Sequence, residues 1–175
     1  MMRRWMCLLL AALLAAFCGC SRAEQVWETV DDTLDAPASG GAQAPMELIF
    51  DVPEDAARTG EGMDCRVYEG PDGAYEIVTQ TLPSGDVGEM IRAVSGFTPE
   101  QLRAVLRQEG PTPEYSFSWY AEDEDGGMLY RAQVLVEGDY CYALTFGVRE
   151  GLWSDYDSTA KQVFASLGLI SAEMA

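Results

Sequence analysis

Catalysis by this chain would depend on carboxylates, because the other common acid–base side chains are nearly absent. The 175 residues include 29 acidic and 11 basic side chains and no histidine. This composition excludes a Ser/His/Asp or Cys/His catalytic unit and any histidine metal ligand. Lys161 is the only lysine, so a serine nucleophile has no evident base. We therefore predict a protein that is not an enzyme. A carboxylate-based hydrolase is the alternative, since so many acids place some pair at glycosidase spacing by chance.

The five cysteines fall into two groups. Cys7, Cys18 and Cys20 lie in or just after an apolar leader, whereas Cys65 and Cys141 lie in the body of the chain. Cys65 and Cys141 are an even pair in predicted strands, and such a pair could form a disulfide in an exported protein. The alternative is two buried thiols, which pack like small apolar side chains.

No pattern in the sequence indicates a metal ion or a cofactor. The acidic run 122–127 lacks the spacing of an EF-hand calcium loop and is typical of a solvated hairpin turn. Segment 84–88 is too short for a phosphate-binding loop and is typical of a turn that starts a helix. We predict neither a metal nor a cofactor.

Aromatic side chains are the remaining candidates for ligand contact. Trp153 precedes the last predicted helix and is the best candidate for an exposed aromatic contact, while Trp27 lies in an acidic segment and could contact the domain or a partner. Other aromatics alternate along predicted strands, so we expect them mainly in the core rather than in a groove. These are Tyr115, Phe117, Trp119, Tyr130, Tyr140 and Tyr142.

The first twenty residues have the features of an export signal. Arg3 and Arg4 precede an apolar run over 5–17, which has the length of a signal-peptide core but is shorter than a bilayer span of about 20 residues. The sequence Phe-Cys-Gly-Cys at 17–20 resembles the lipobox of bacterial lipoproteins, although Phe17 and Cys18 depart from its usual residues. The resemblance implies cleavage after residue 19 and lipidation of Cys20. An ordinary secretory signal is the alternative.

Charge limits the partners of the predicted mature chain. Without residues 1–19 it has 9 basic and 29 acidic groups, a formal charge of -20. Nucleic acid and anionic lipid would both repel such a protein, so we expect no nucleic-acid partner. Acyl chains on Cys20 would have to hold the protein at the membrane.

Composition and periodicity predict a signal peptide over 1–19, a tether over 20–45 and a single α+β domain over 46–172. The tether contains a small, uncharged stretch over 36–45 that is typical of a linker. In the domain, alternation and turn signals predict an antiparallel sheet covered by helices. Predicted strands are 47–52, 65–69, 74–82, 114–121, 128–136 and 140–148, and predicted helices are 87–94, 98–109 and 154–167, with Ser154 as the cap of the last.

Two local patterns accompany this order of elements: a strand that runs into Val-Pro-Glu at 52–54, and Tyr-Ala-Leu-Thr-Phe at 142–146 followed by a loop and a closing helix. With these patterns, residues 46–170 resemble the PsbP-like α/β/α sandwich of many small bacterial lipoproteins. The chain also resembles uncharacterised lipoproteins of gut clostridia. The resemblance implies a fold and a binding or accessory role, with no shared catalytic residues.

We therefore expect an acidic, non-enzymatic domain on a tether at the extracytoplasmic face of the cell membrane, with an unknown protein or small ligand as its partner. The alternatives are a carrier of a lipid or peptide in an apolar cavity, and the carboxylate-based hydrolase. A sheet that its helices pack solidly would favour the binding module, whereas a large apolar cavity would favour the carrier.

Overall fold

A seven-stranded antiparallel sheet forms the centre of the computed structural model, which describes residues 45–102, 105–108, 110–123 and 126–171. The strands are β1 (Glu47–Ile49), β2 (Ala57–Glu61), β3 (Cys65–Glu69), β4 (Tyr75–Pro83), β5 (Val105–Gln108), β6 (Glu114–Asp123), β7 (Gly126–Glu137), β8 (Tyr140–Arg149) and β9 (Gly168–Ile170). The helices are α1 (Val87–Ser95) and α2 (Trp153–Ala165). The sheet has the order β2-β3-β4-β8-β7-β6-β5, and β1 pairs with β9 in a separate two-stranded sheet.

The central strand β8 is buried on both faces. Cys141 and Ala143 face a first core that includes α1, whereas Tyr142, Leu144 and Phe146 face a second core that includes α2. A sheet with helices on both faces buries the side chains of both its faces, which explains why β8 is almost continuously apolar. The structure therefore confirms the predicted α+β class with helices covering an antiparallel sheet.

Helix α1 begins and ends on local signals that the sequence contains. The Asp86 carboxylate accepts a hydrogen bond from the Glu89 backbone N–H at 3.0 Å, and Gly96 ends the helix with φ of 78°. Val87 and Ile91 face the first core one turn apart. The predicted helix over 87–94 is confirmed and is one residue longer.

The turn between β3 and β4 depends on two glycines. Gly73 adopts φ of 65°, a left-handed conformation that favours glycine. A β carbon at Gly70 would lie 2.7 Å from Cζ of the buried Tyr75 ring, so only glycine fits there without displacing the ring. The sequence Gly-Pro-Asp-Gly at 70–73 predicts a hairpin between the two strands, and the structure confirms it because Glu69 pairs directly with Glu76.

The prediction of a helix over 98–109 was wrong. A capping box, which is a sequence signal for the start of a helix, does form at Thr98, since the Gln101 side chain accepts a hydrogen bond from the Thr98 N–H at 2.8 Å. Only a 3-10 turn follows it. Val105 to Gln108 instead form β5, which pairs with β6 at the edge of the sheet. Pairing with β6 supplies backbone hydrogen bonds to this segment in place of helical ones, so the tertiary context overrode the local signal.

The C-terminal helix and its neighbours also differ in detail from the prediction. Ser154 does not cap α2, which has Leu152 at its N-cap without a side-chain hydrogen bond. Gly168 begins the strand β9, which sequence reasoning missed together with β2. The apolar residues at helical spacing along this segment predict a buried stripe, and the structure confirms it because all of them pack in the second core: Tyr156, Ala160, Val163, Phe164 and Leu167.

Candidate functional site

An open groove of about 470 Å³ lies between α2 and the β5–β6–β7 half of the sheet. We call it the edge groove. Helix α2 packs on β8, and it leaves this face of β6 and β7 exposed beside it. The residues that line the edge groove are Leu106 of β5, Glu114, Ser116, Phe117 and Ser118 of β6, Arg131, Ala132 and Gln133 of β7, and Lys161 and Phe164 of α2.

The polar floor of the edge groove follows from the alternation of β6. Tyr115 and Phe117 point into the first core, which places Ser116 and Ser118 on the opposite face of the strand. The register then pairs Ser116 with Gln133 and Ser118 with Arg131 across β6 and β7. Four polar side chains therefore lie side by side on a part of this face that neither α1 nor α2 covers.

The edge groove has a basic end at Arg131, and Lys161 of α2 also lines the groove. The Arg131 guanidinium carbon lies 5.1 Å from the centre of the Trp153 ring, a cation–π contact that orients the exposed guanidinium. Among the described residues Arg131 takes part in no ion pair, whereas Lys161 pairs with Asp157 at 2.6 Å. The guanidinium N–H donors of Arg131 can therefore serve an anionic ligand group.

The opposite end of the edge groove is acidic. The Glu114 carboxylate oxygen Oε1 accepts hydrogen bonds from Gln133 Nε2 at 2.5 Å and from Ser116 Oγ at 3.4 Å. Ser118, which pairs with Arg131 across the two strands, lies four positions after Glu114 along β6. The two ends are therefore about 13 Å apart along the strand. The site thus presents opposite charges at its ends with neutral polar groups between them.

A second, smaller cavity of about 230 Å³ lies beside the first described residues. Its main charged groups are already paired, because the Arg66 guanidinium donates to Glu47 at 2.7 Å. That hydrogen bond is the main cause of a raised pKa for Arg66. The edge groove, whose Arg131 has no ion pair within the described part of the chain, is therefore the better candidate for a ligand site.

The disulfide considered between Cys65 and Cys141 is not formed, and both thiols are free. Cys65 pairs with Gln80 and Cys141 pairs with Leu82, so the strand β4 lies between the two cysteines. Strands two positions apart in a sheet are roughly 10 Å apart, which exceeds the Cα separation that a disulfide allows. The buried-thiol alternative describes Cys141, where burial raises the pKa from 9.0 to about 11.

The predicted aromatic contacts have different outcomes. Trp153 is partly buried against the second core and contacts Arg131, so it positions a groove residue instead of standing exposed. Trp27 and the lipidation site Cys20 lie outside the described residues. Among the strand aromatics, Tyr115, Phe117 and Tyr142 are buried as predicted, and Trp119, Tyr130 and Tyr140 are partly buried.

No metal-binding cluster of His, Cys, Asp or Glu occurs in the described part of the chain. Residues 124 and 125 of the acidic hairpin are not among those described. At the start of α1, the Asp86 carboxylate occupies the position where an anion would otherwise bind, which agrees with the predicted turn and cap. Within the described ranges, no helix is both long enough and apolar enough to span a membrane.

Sequence reasoning did not find the edge groove. Ser116 and Ser118 were visible as the polar face of β6, and Lys161 as a solvent-facing residue of the last helix. Their proximity to Arg131 depends on strand order and on where α2 crosses the sheet, and neither is a local property of the sequence.

No protein-family model matches the chain, and the search of curated proteins finds no match either. Several solved structures resemble its fold. The cyanobacterial PsbP protein CyanoP of Synechocystis sp. PCC 6803 is 12% identical with a TM-score of 0.52, over 75% of this chain and 96% of that one. A protein of Bacteroides thetaiotaomicron is 14% identical with a TM-score of 0.50, over 75% of this chain and 50% of its own length. LpqN of Mycobacterium tuberculosis, involved in cell envelope biogenesis, is 14% identical with a TM-score of 0.48, over 75% and 87%.

The domain therefore has a PsbP-like fold, as the sequence resemblance implied. At these identities the similarity describes the fold alone, because one fold supports many unrelated functions. The function has to be argued from the edge groove and from the sequence that precedes the domain.

Proposed function

We propose that this chain is a lipoprotein anchored at the extracytoplasmic face of the cell membrane, and that its folded domain is a non-enzymatic binding or accessory module. The apolar leader and the lipobox-like sequence before Cys20 support the anchor. The edge groove supports the binding role, because a preformed surface site of this volume, with a few convergent polar groups, suits a small ligand.

The single observation that carries the binding role is the distribution of charge in the edge groove. Among the described residues that line the groove, Glu114 is the one carboxylate, and it accepts hydrogen bonds from Gln133 and Ser116. A carboxylate-based glycosidase needs two acids that flank the substrate. A groove with one hydrogen-bonded acid at one end and an arginine at the other is better suited to orient a ligand than to cleave one.

A lipid carrier is favoured less by this geometry. Side chains of α1 and α2 pack in the two cores on opposite faces of the sheet, around Ile91 and Val163. The edge groove itself is open, and its floor of Ser116, Ser118 and Gln133 would leave hydroxyl and amide groups against hydrocarbon. Burial of unpaired polar groups would oppose the binding of an acyl chain.

Metabolic labelling with an alkyne fatty acid tests the anchor. Wild-type chain expressed in a bacterial host should incorporate the label and sediment with membranes, because a thioether on Cys20 joins the lipid to the protein. Cys20→Ala should abolish both, whereas the matched control Cys18→Ala should retain both. Labelling that persists in Cys20→Ala, or that is lost in Cys18→Ala alone, would contradict the assignment.

Protease accessibility tests the side of the membrane on which the domain lies. Protease added to intact spheroplasts should digest the domain while a cytoplasmic marker stays intact. Protection of the domain until the cells are lysed would place it inside the cell and would refute the proposed location.

A further inference from the structure

We propose that the edge groove binds a short extended peptide of about three or four residues, with its free C-terminal carboxylate at Arg131 and its N-terminal ammonium at Glu114. This inference rests on the proposed binding role and specifies its ligand class. The peptide chain would lie along β6 between the two charged ends, and one apolar side chain would lie between Leu106 and Phe164.

The basic end is suited to a carboxylate. The Arg131 guanidinium carbon lies over the Trp153 ring at 5.1 Å from its centre, and the side chain is exposed, so its N–H groups can make a bidentate contact with a carboxylate. Lys161 of α2 also lines the groove, and its side chain is 68% exposed while it pairs with Asp157. An exposed arginine that has no ion pair among the described residues marks its end of the groove for an anionic group in a domain as acidic as this one.

The length of the edge groove sets the length of the ligand. The charged ends are about 13 Å apart, and an extended peptide advances about 3.3 Å per residue. The termini of a tripeptide or tetrapeptide therefore match the separation of Glu114 and Arg131. A single amino acid is too short to reach both charged ends.

The floor and the wall of the edge groove distinguish a peptide from other anions. Ser116, Ser118 and Gln133 can exchange hydrogen bonds with peptide amides, which a fatty-acid chain cannot do. Leu106, which is 64% exposed on β5, lines the groove together with Phe164 of α2 and with Phe117 and Ala132 of the sheet, so the groove also offers apolar contact. Polar groups beside apolar surface fit a peptide backbone that carries an apolar side chain.

The charge of the whole domain also favours a zwitterion. A formal charge of -20 on the predicted mature chain repels a ligand with a net negative charge. A peptide with both termini free and neutral side chains has no net charge, so this long-range repulsion is small. Its termini still find local partners of opposite sign at Arg131 and Glu114.

Titration of the chain over 20–175 carrying Cys20→Ser, followed by amide NMR, tests the proposal. The probe is alanyl-leucyl-alanine with free termini, compared with its C-terminal amide and its N-acetyl form. The free peptide should shift the amide signals of the groove residues 116–118 and 131–133. The C-terminal amide should bind about tenfold more weakly or worse, because it cannot form the charge-assisted hydrogen bonds to Arg131.

Variants connect the binding to the two ends of the groove. Arg131→Gln should weaken the free peptide about tenfold and should remove most of the difference between the free acid and the amide. Glu114→Gln should instead reduce the difference between the free and the N-acetylated peptide. Arg92→Gln, a change at an exposed position of α1 that lies outside the groove, should bind as the parent chain does. Thermal unfolding of each variant reports whether its fold is intact.

Four results would overturn the proposal. They are equal binding of the acid and the amide, unchanged binding in a folded Arg131→Gln variant, tighter binding of decanoate than of peptide, and no binding of any peptide at about 10 mM, where even millimolar affinity is measurable. None of these results concerns the lipid on Cys20. Failure of this inference is therefore distinguishable from failure of the proposed anchor, which the labelling experiment reports.

Discussion

The packing of Tyr130 against Gly147 predicts a large penalty for a single added methyl group. The two residues are directly paired across β7 and β8. A β carbon at Gly147 would lie 2.6 Å from Cδ1 of the Tyr130 ring and 3.2 Å from Cε of Met128. The ring also stacks on Trp119, with centroids 5.1 Å apart and planes at 12°. The Gly147→Ala variant must therefore displace a ring that is held on its other face.

Three contributions set the change in stability of Gly147→Ala, of which two are destabilising and one is stabilising. Overpacking at such a site costs about 1–3 kcal/mol, and disruption of the stacked pair costs about 0.5–1.5 kcal/mol. Replacement of glycine by alanine gains about 0.5–1 kcal/mol from the restricted unfolded chain. We expect the free energy of unfolding to fall by about 1–3 kcal/mol. At about 4 °C per kcal/mol for a domain of this size, the melting temperature should fall by about 4–12 °C.

Urea denaturation of the chain with Cys20→Ser measures this effect. The matched control is Gly85→Ala, because a β carbon at Gly85 would meet no described atom within 4 Å, and we expect a change within about 0.5 kcal/mol. A double-mutant cycle with Tyr130→Ala isolates the contact, since Gly147→Ala should cost at least about 1 kcal/mol less once the ring is absent. An equal cost with and without the ring, or no greater cost than at Gly85, would refute the reasoning.

Four further predictions concern single positions in the domain. Thr145→Val should raise the free energy of unfolding by about 1 kcal/mol, because the buried Thr145 Oγ1 has no hydrogen-bond partner among the described residues. A lower free energy of unfolding in urea denaturation would contradict this. Asp86→Ala should lower the melting temperature, because it removes the N-cap of α1 and with it about 1 kcal/mol of stability. Ser154→Ala removes no cap and should change the melting temperature little. The reverse ranking would show that the cap assignments are wrong. Because burial raises the pKa of Cys141 to about 11, iodoacetamide at about pH 8 should label the partly exposed Cys65 first, as peptide mass spectrometry would show. The raised pKa means that the fold favours the neutral thiol, so the contribution of Cys141 to stability is complete below pH 9.0 and is lost as the pH rises through about 11. The free energy of unfolding of Cys141→Ala should therefore change less with pH over that range. An unchanged slope would argue against this burial effect.

Local signals predicted most elements of the fold. The strands β3, β4, β6, β7 and β8 and the helix α1 follow from alternation, turn residues and caps that act within a few positions along the chain. The failures have a common cause. The start signal at Thr98 is real, but the segment that follows is decided by its pairing with β6, which lies about ten residues further on. Likewise β9 exists because Leu169 pairs with Leu48, a partner more than a hundred residues away.

The candidate site depended far less on local signals. The position of Trp153 near the start of the last helix was clear from the sequence. Its contact with Arg131 was not, because that contact joins the start of α2 to the strand β7, which does not adjoin α2 in the sequence. The possible disulfide fails for a similar reason. Cys65 and Cys141 both lie in strands, as expected, and only the strand order shows that β4 separates them.

The amino-acid sequence by itself determined the class of fold, the lack of histidine chemistry, the strongly acidic charge and the expectation of a lipid anchor at Cys20. These properties follow from composition and from patterns of a few residues, so they need no knowledge of distant contacts. Only the tertiary structure decided that Ser116, Arg131 and Lys161 share one groove and that Leu106 is exposed at its edge. Strand order, register and the path of α2 across the sheet bring together residues that are far apart in the chain, and long-range packing sets all three.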